Sequence, residues 1–263
     1  MRARYFWPII FIAAGILFLL DNLGWLPGNA WGWIWAIALI LIGVSLLWPG
    51  RRSAQSEEAS VPLEGAATAR LTLKHGAGRL SLRGGAASDL LLSGLFGGGV
   101  DKDVQHVGDM LAVSLQLPRQ GWDLWMWPGS WGRAPLDWNV NVNSNVPLQL
   151  AVEGGASETS LDLSALRVTD LSLKTGASST HLTLPAQAGH TQVRVEAGAA
   201  AVRVEVPPGV AARIRGVMGL GAVNVDERRF PRREGEYQSD DFSTAVNRAE
   251  IEISGGVGSV EVR

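Results

Sequence analysis

Six times along the chain, a short alternating apolar/polar strand runs into a small-residue step, and a second alternating strand follows. Leu71-Thr72-Leu73 leads to Gly76-Ala77 and Leu80-Ser81-Leu82, and Leu148-Gln149-Leu150 leads to Gly155-Ala156 and Leu161-Asp162-Leu163. Leu171-Ser172-Leu173 leads to Gly176-Ala177 and Leu182-Thr183-Leu184, and Val193-Arg194-Val195 leads to Gly198-Ala199 and Val202-Arg203-Val204. A looser copy places Ile214 before Gly221-Ala222 and Val223-Asn224-Val225; the last is Ile251-Glu252-Ile253, Gly256-Val257 and Val260-Glu261-Val262. Between 155 and 221 the glycines fall 21, 22 and 23 residues apart, a period that marks a stacked repeat.

Period-2 alternation signals strands with one buried face. Half-units this short cannot stand alone, but stacked copies pair above and below and bury their apolar positions in columns. Glycine at the step suits a corner, where positive φ carries no Cβ clash. The expected fold is mainly β, a β-solenoid or β-helix-like stack with turns of about 22 residues. The irregular spacing from 76 to 155 and from 221 to 256 keeps an antiparallel β-sandwich with incidental Gly-Ala turns as the rival.

The N-terminal residues have a different character. Tyr5–Leu20 is an apolar run extendable through Leu23, and Trp31–Trp48 is a second. Each approaches the ~20 residues needed to span a bilayer. Between them Asp21-Asn22-Leu23-Gly24-Trp25-Leu26-Pro27-Gly28-Asn29 reads as a turn, so residues 1–50 are expected to form a two-helix transmembrane hairpin with spans at about 5–23 and 31–48. Trp7, Trp25, Trp31 and Trp48 fall at the span ends, where headgroups favour aromatic rings. Arg2 and Arg4 flank one end, Arg51 and Arg52 the other, and the connecting loop has no Lys or Arg. The positive-inside rule then puts both termini and the β domain in the cytoplasm. A cleaved signal peptide is the rival, but no small-x-small site follows Leu20. The Arg51-Arg52 pair reads either as this topology signal or as a contact for anionic lipid. Gly15 and Gly43 lie within the spans and either allow close helix–helix contact or reflect the frequency of Gly in membrane helices.

Residues 51–60 lack apolar periodicity and read as a linker, with the β-repeat domain following over 61–263. Residues 84–118 depart from the repeat and carry further strands. Trp122, Trp125, Trp127 and Trp131 surround the turn Pro128-Gly129-Ser130, whereas Trp138 alternates with Asn139 and Val140 and is expected in the core. The four tryptophans form either an exposed patch for a partner or membrane surface, or a cap over the open end of the stack. The charged stretch 226–250 reads as a solvated excursion or an electrostatic docking loop.

Charge and chemistry exclude several classes. Net charge is −2: residues 1–52 have four arginines against one aspartate, and the rest have 19 basic against 24 acidic residues. Without a basic stripe carrying interleaved aromatics, nucleic-acid binding is not expected. No cysteine is present, and His75, His106, His181 and His190 are not at metal-ligand spacing. Gly97-Gly98-Gly99 precedes no Lys-Ser/Thr, and no nucleophile elbow occurs. Neither a cofactor nor enzymatic activity is expected.

The hairpin, with Gly15-Ile16-Leu17-Phe18-Leu19-Leu20-Asp21-Asn22-Leu23-Gly24 and Leu39-Ile40-Leu41-Ile42-Gly43-Val44, resembles the LiaI/LiaF-like transmembrane region of bacteria. The remainder resembles the toast-rack domain of LiaF-type C-terminal regions and adhesin-like proteins. Val146-Pro147-Leu148-Gln149-Leu150, the Gly-Ala steps, Leu161-Asp162-Leu163-Ser164, Val206-Pro207-Pro208-Gly209-Val210 and Gly256-Val257-Gly258-Ser259-Val260-Glu261-Val262 carry that likeness. The resemblance implies a membrane-anchored regulator, with its hairpin in the bacterial inner membrane. LiaF-like proteins restrain a membrane histidine kinase that responds to cell-envelope stress and cell-wall antibiotics. The expected partners are therefore the lipid bilayer, a membrane histidine kinase or another membrane protein, and further copies of the chain. A self-assembling scaffold or adhesin-like protein is the alternative.

Overall fold

The computed structural model describes residues 56–118, 136–233 and 235–263. The hairpin with Gly15 and Gly43, the flanking Arg2, Arg4, Arg51 and Arg52, and Trp122, Trp125, Trp127 and Trp131 lie outside the described residues. Among the described residues no helix is long and apolar enough to cross a membrane.

The alternating segments form the strands they predict. In chain order they are β1 (Ser56–Pro62), β2 (Thr68–Gly84), β3 (Leu90–Gly97), β4 (Asp101–Val107), β5 (Met110–Gln116), β6 (Trp138–Val142) and β7 (Pro147–Asp162). Then come β8 (Arg167–Thr175), β9 (Ser179–Thr183), β10 (His190–Glu205), β11 (Ala211–Val225), β12 (Arg232–Arg233), β13 (Glu236–Gln238) and β14 (Arg248–Val262). A repeat copy is one bent strand, or the pair β8 and β9, with a first arm, a corner and a second arm. Copies stack in parallel register, so the stacked repeat describes the chain and the antiparallel sandwich does not.

Register turns the alternation into columns. Leu71, Leu150, Leu171, Val193, Ile251 and Ile214 lie one above another in the first arm. Leu82, Leu161, Leu182, Val204, Val262 and Val225 do so in the second. Both columns point into one core, closed by Leu163, Leu166, Leu184, Val206 and Phe230 from the connecting loops. A one-residue slip would turn every column outward, so burial fixes the register. Outward positions pair charges between layers: Lys74 Nζ lies 3.7 Å from Glu153 and Lys174 Nζ 3.0 Å from Glu196.

The layers do not follow chain order. β14, the sixth copy, sits between β10 and β11, the fourth and fifth. Residues 226–247 carry the chain out past the last layer and back. This excursion is more than the solvated loop expected from its charges. It forms β12 and β13, β13 pairs with β11 at Arg213 and Ile214, and Phe230 and Phe242 are buried. At the other end β5 and β6 flank the two arms of β2, with β4 antiparallel to β5 and β3 and β1 beyond β6.

Two further expectations are corrected. The linker expected over 51–60 is strand from Ser56 onward, because Ala59 and Val61 are buried while Glu57 and Glu58 face out; two inward positions give too little periodicity to see. Of the expected step glycines, Gly221 has a positive φ of 149°, but Gly76, Gly155, Gly176, Gly198 and Gly256 do not. Gly76, Gly155, Gly176, Gly198, Gly256 and Gly219 instead form a column in which the backbone of one layer meets the next. A Cβ at Gly155 would collide with the Gly76 carbonyl oxygen, and one at Gly176 would lie 2.9 Å from the Gly155 carbonyl oxygen. The fifth copy therefore turns at Gly219-Leu220, two residues before Gly221-Ala222, because Gly219 is the residue that stacks on Gly256.

Candidate interaction surfaces

Three surfaces stand out in the stack. The first is a groove of about 320 Å³ on the outer side of the first arms. Ala151 and Ser172 form its floor, and Arg70, Arg194, Arg213 and Arg215 stand along its walls with Asp170, Glu250 and Glu252. Small residues at central outward positions create this depression, because longer neighbours rise on either side. Its arginines are engaged: Arg70 Nε donates to Gln149 at 2.9 Å and Arg215 Nε to Glu236 at 2.6 Å. Arg213 Nε donates to Gln238 at 3.0 Å, and its guanidinium lies over the Phe242 ring, 4.3 Å from the centroid. These groups present oriented polar edges along the groove.

The second surface is a trench of about 640 Å³ over the glycine column, bordered by Glu153, Lys174 and Glu196. It exists because three or more successive layers have no side chain there. Alongside it runs a crest, Ala77, Ala156, Ala177, Ala199, Val257 and Leu220, whose side chains enlarge toward the β11 end. Val257 is 53% exposed and Leu220 72%.

The third lies where the tryptophan-rich segment joins the stack. Leu117 and Leu136, on either side of that segment, pack near the corner of β2: a Cβ at Gly78 would lie 2.5 Å from the Leu136 carbonyl oxygen, and one at Gly76 3.8 Å from Leu117. Trp138 is buried as expected, edge-on to Phe96 at 5.1 Å, and its indole N–H donates to the Gly97 carbonyl. His75, which had no assigned role, packs 5.2 Å from Trp138. Its Nε2 donates to the Leu136 carbonyl at 2.8 Å, and its Nδ1 is buried with no partner among the described residues. Burial holds the imidazole below its usual pKa, while the Leu136 carbonyl and the nearby Asp137 act in the opposite direction. The position of His75 in an alternating strand signals an inward side chain, but nothing local in sequence reveals Leu136 as its partner. Elsewhere Arg263 donates to Glu205 and holds its carboxyl below the usual carboxylate range. Among the described residues no group of three His, Asp or Glu converges to hold a metal ion.

Bent strands stacked in parallel, with a glycine at each corner and a single core between the arms, define a layered all-β repeat domain. The family model for the N-terminal domain of toast_rack, DUF2154, matches residues 50–205, and the chain belongs to this toast-rack family. Ahead of it, residues 1–54 match the LiaF transmembrane domain, which points to membrane anchoring. The fold is similar to the crystal structure of a candidate cell adhesion protein from Clostridium sporogenes ATCC 15579, with a TM-score of 0.68 and 21% identity over 79% of this chain and 98% of the other. No curated protein matches the chain.

Proposed function

We propose that the chain is a membrane-anchored, LiaF-like regulator that acts in the cell-envelope stress response by binding a membrane signalling partner rather than by catalysis. The observation that carries this reading is the junction of the two family matches: a LiaF transmembrane domain over 1–54 runs directly into a toast-rack domain from residue 50. In this reading residues 5–23 and 31–48 anchor the chain, and Arg2, Arg4, Arg51 and Arg52 keep both termini and the stack cytoplasmic. The stack presents a rigid polar groove to the cytoplasmic part of a kinase or another membrane protein. Trp122, Trp125, Trp127 and Trp131 add aromatic contact area, and Gly15 and Gly43 add helix contacts.

The full-length chain, captured from detergent-solubilised membranes, is expected to bring down one such membrane protein, and its deletion to change an envelope-stress reporter. No specific partner together with an unchanged reporter would sink the reading. Reporter fusions after Arg52 and at Arg263 test the orientation; an extracytoplasmic signal would shift the role to the envelope face. The second reading, a self-assembling scaffold or adhesin-like protein, is favoured by the uncovered strand at one end of the stack. Under it, sedimentation of the detergent-solubilised full chain would show species growing with concentration.

A further inference from the structure

Four strand borders limit the stack among the described residues, and three are guarded. β4 carries Asp101, Lys102 and Asp103, and β1 carries Glu57, Glu58 and Pro62. The start of β11 is covered by β13 as far as Ile214. Charge and proline on an edge are the usual means of preventing strand addition. Beyond Ile214, the outer side of β11 pairs with no strand among the described residues, and from Gly216 to Val225 it has no charged residue and no proline. Val217 is 76% exposed and Leu220 72%, and the core-facing Met218, Val223 and Val225 are only half buried, where their counterparts in inner layers are closed off. The last layer therefore displays both an open backbone ladder and an open end of the core.

The geometry points to a second copy of this chain as the occupant, joined β11 to β11 in antiparallel fashion across a two-fold axis at the corner. Cover by β13 ends at Ile214, and the second arm continues to Val225. The open segment, residues 215–225, thus has five residues before the Gly219-Leu220 step and six from Leu220 onward, so all but Val225 can pair about a point there. A dyad there lays residues 215–219 of one copy against 220–224 of the other, corner on corner. The inward positions Gly216 and Met218 then lie opposite the inward positions Val223 and Gly221, so the two cores join. Gly216 is the only glycine in the inward column of Leu73, Val152, Leu173, Val195 and Ile253, and the Val223 side chain of the same chain fills the place its Cβ would take, 2.9 Å from Cγ2. A head-to-tail array is disfavoured because the opposite borders, β1 and β4, carry charges. An isologous pairing uses the same patch twice and closes at two subunits. This inference does not depend on which signalling partner the chain binds.

The natural chain has no cysteine, so single-cysteine variants of the full-length protein in detergent report proximity cleanly. The two Leu220 residues flank the proposed axis, within disulfide reach, whereas Val246 is 85% exposed on the excursion. Under mild oxidation Leu220→Cys is expected to form a covalent dimer far more readily than Val246→Cys. Adding Val217→Lys to Leu220→Cys should weaken association about tenfold or more, equivalent to ~1.4 kcal/mol, and suppress the cross-link, with the far-UV circular dichroism unchanged. A dimer held only by other segments would leave Leu220→Cys no more reactive than Val246→Cys, and that result overturns the proposal. So does light scattering that finds species larger than dimers which Val217→Lys dissolves, since that describes an open array.

Discussion

At the corner of each layer a hydrogen atom takes the place of a side chain, and the reason differs from the usual one for glycine. Gly155 has no unusual φ; it is required because the Gly76 carbonyl occupies the space of its Cβ. Gly155→Ala should therefore cost about 1–3 kcal/mol, the range for inserting a methyl group where the neighbours cannot yield. Gly76→Ala, at the bottom of the same column with Leu117 3.8 Å away, should be nearly neutral. Urea melts of the two variants check the contrast; equal losses would mean that glycine is needed there for its backbone freedom. His75 gives a second residue-scale prediction. Its pKa is lower in the fold than when unfolded, so its neutral form supports stability above about pH 6.5. As pH falls from there through the folded value, the unfolded chain binds more protons, and stability declines by at most ~1.4 kcal/mol per pH unit from this group. Melts across this window should show a decline that His75→Gln reduces.

For the strands, sequence alternation says which face is buried but not which neighbour lies alongside. Val and Ile columns accept any copy, so the exchange that places β14 inside β11 leaves no trace in the pattern. The first four copies, with Gly at 76, 155, 176 and 198, were legible because each keeps its strand-corner-strand spacing. The fifth was displaced by two residues because Gly219 and Gly221 both suit a corner; an even displacement leaves the inward set unchanged, so only stacking on Gly256 separates them. β1 was missed because it buries only Ala59 and Val61. The interlayer position of β14 has an energetic consequence. Ile251 and Ile253 are packed by layers on both sides, and Ile251→Ala should cost about 2–5 kcal/mol as a core truncation. Val225→Ala, in the half-open last layer, should cost clearly less. Denaturant unfolding decides this; Val225 lies beyond residues 220–224, which pair across the proposed two-fold axis, and comparable losses would mean that cover extends past them.

For the whole molecule, the chain combines a toast-rack stack with a LiaF transmembrane match, which points to membrane anchoring. The interaction sites chosen from sequence, the four tryptophans, the span glycines and the flanking arginines, fall outside the described residues. The groove was invisible in sequence because layer order alone brings together its walls, from Arg70 to Glu252, and the same order alone decides that β11 ends the stack. If the groove carries partner binding, replacing Ala151 and Ser172 by Arg should fill it and abolish partner capture while leaving the melting midpoint within a few degrees, as expected of surface changes within about ±0.5 kcal/mol. Undiminished capture would move the contact elsewhere on the chain.

The position of β14 also sets a timetable during synthesis. Layers through β10 can be added as the ribosome releases them, each new turn finding the previous one in place. β11 emerges next and has no seat, because the strand it rests on is made about forty residues later. Until residues 248–262 appear, the chain holds a completed partial stack and a loose apolar strand. A ribosome that stalls in that interval, or a protease that trims the tail, leaves a product that displays its unfinished state to the quality-control machinery.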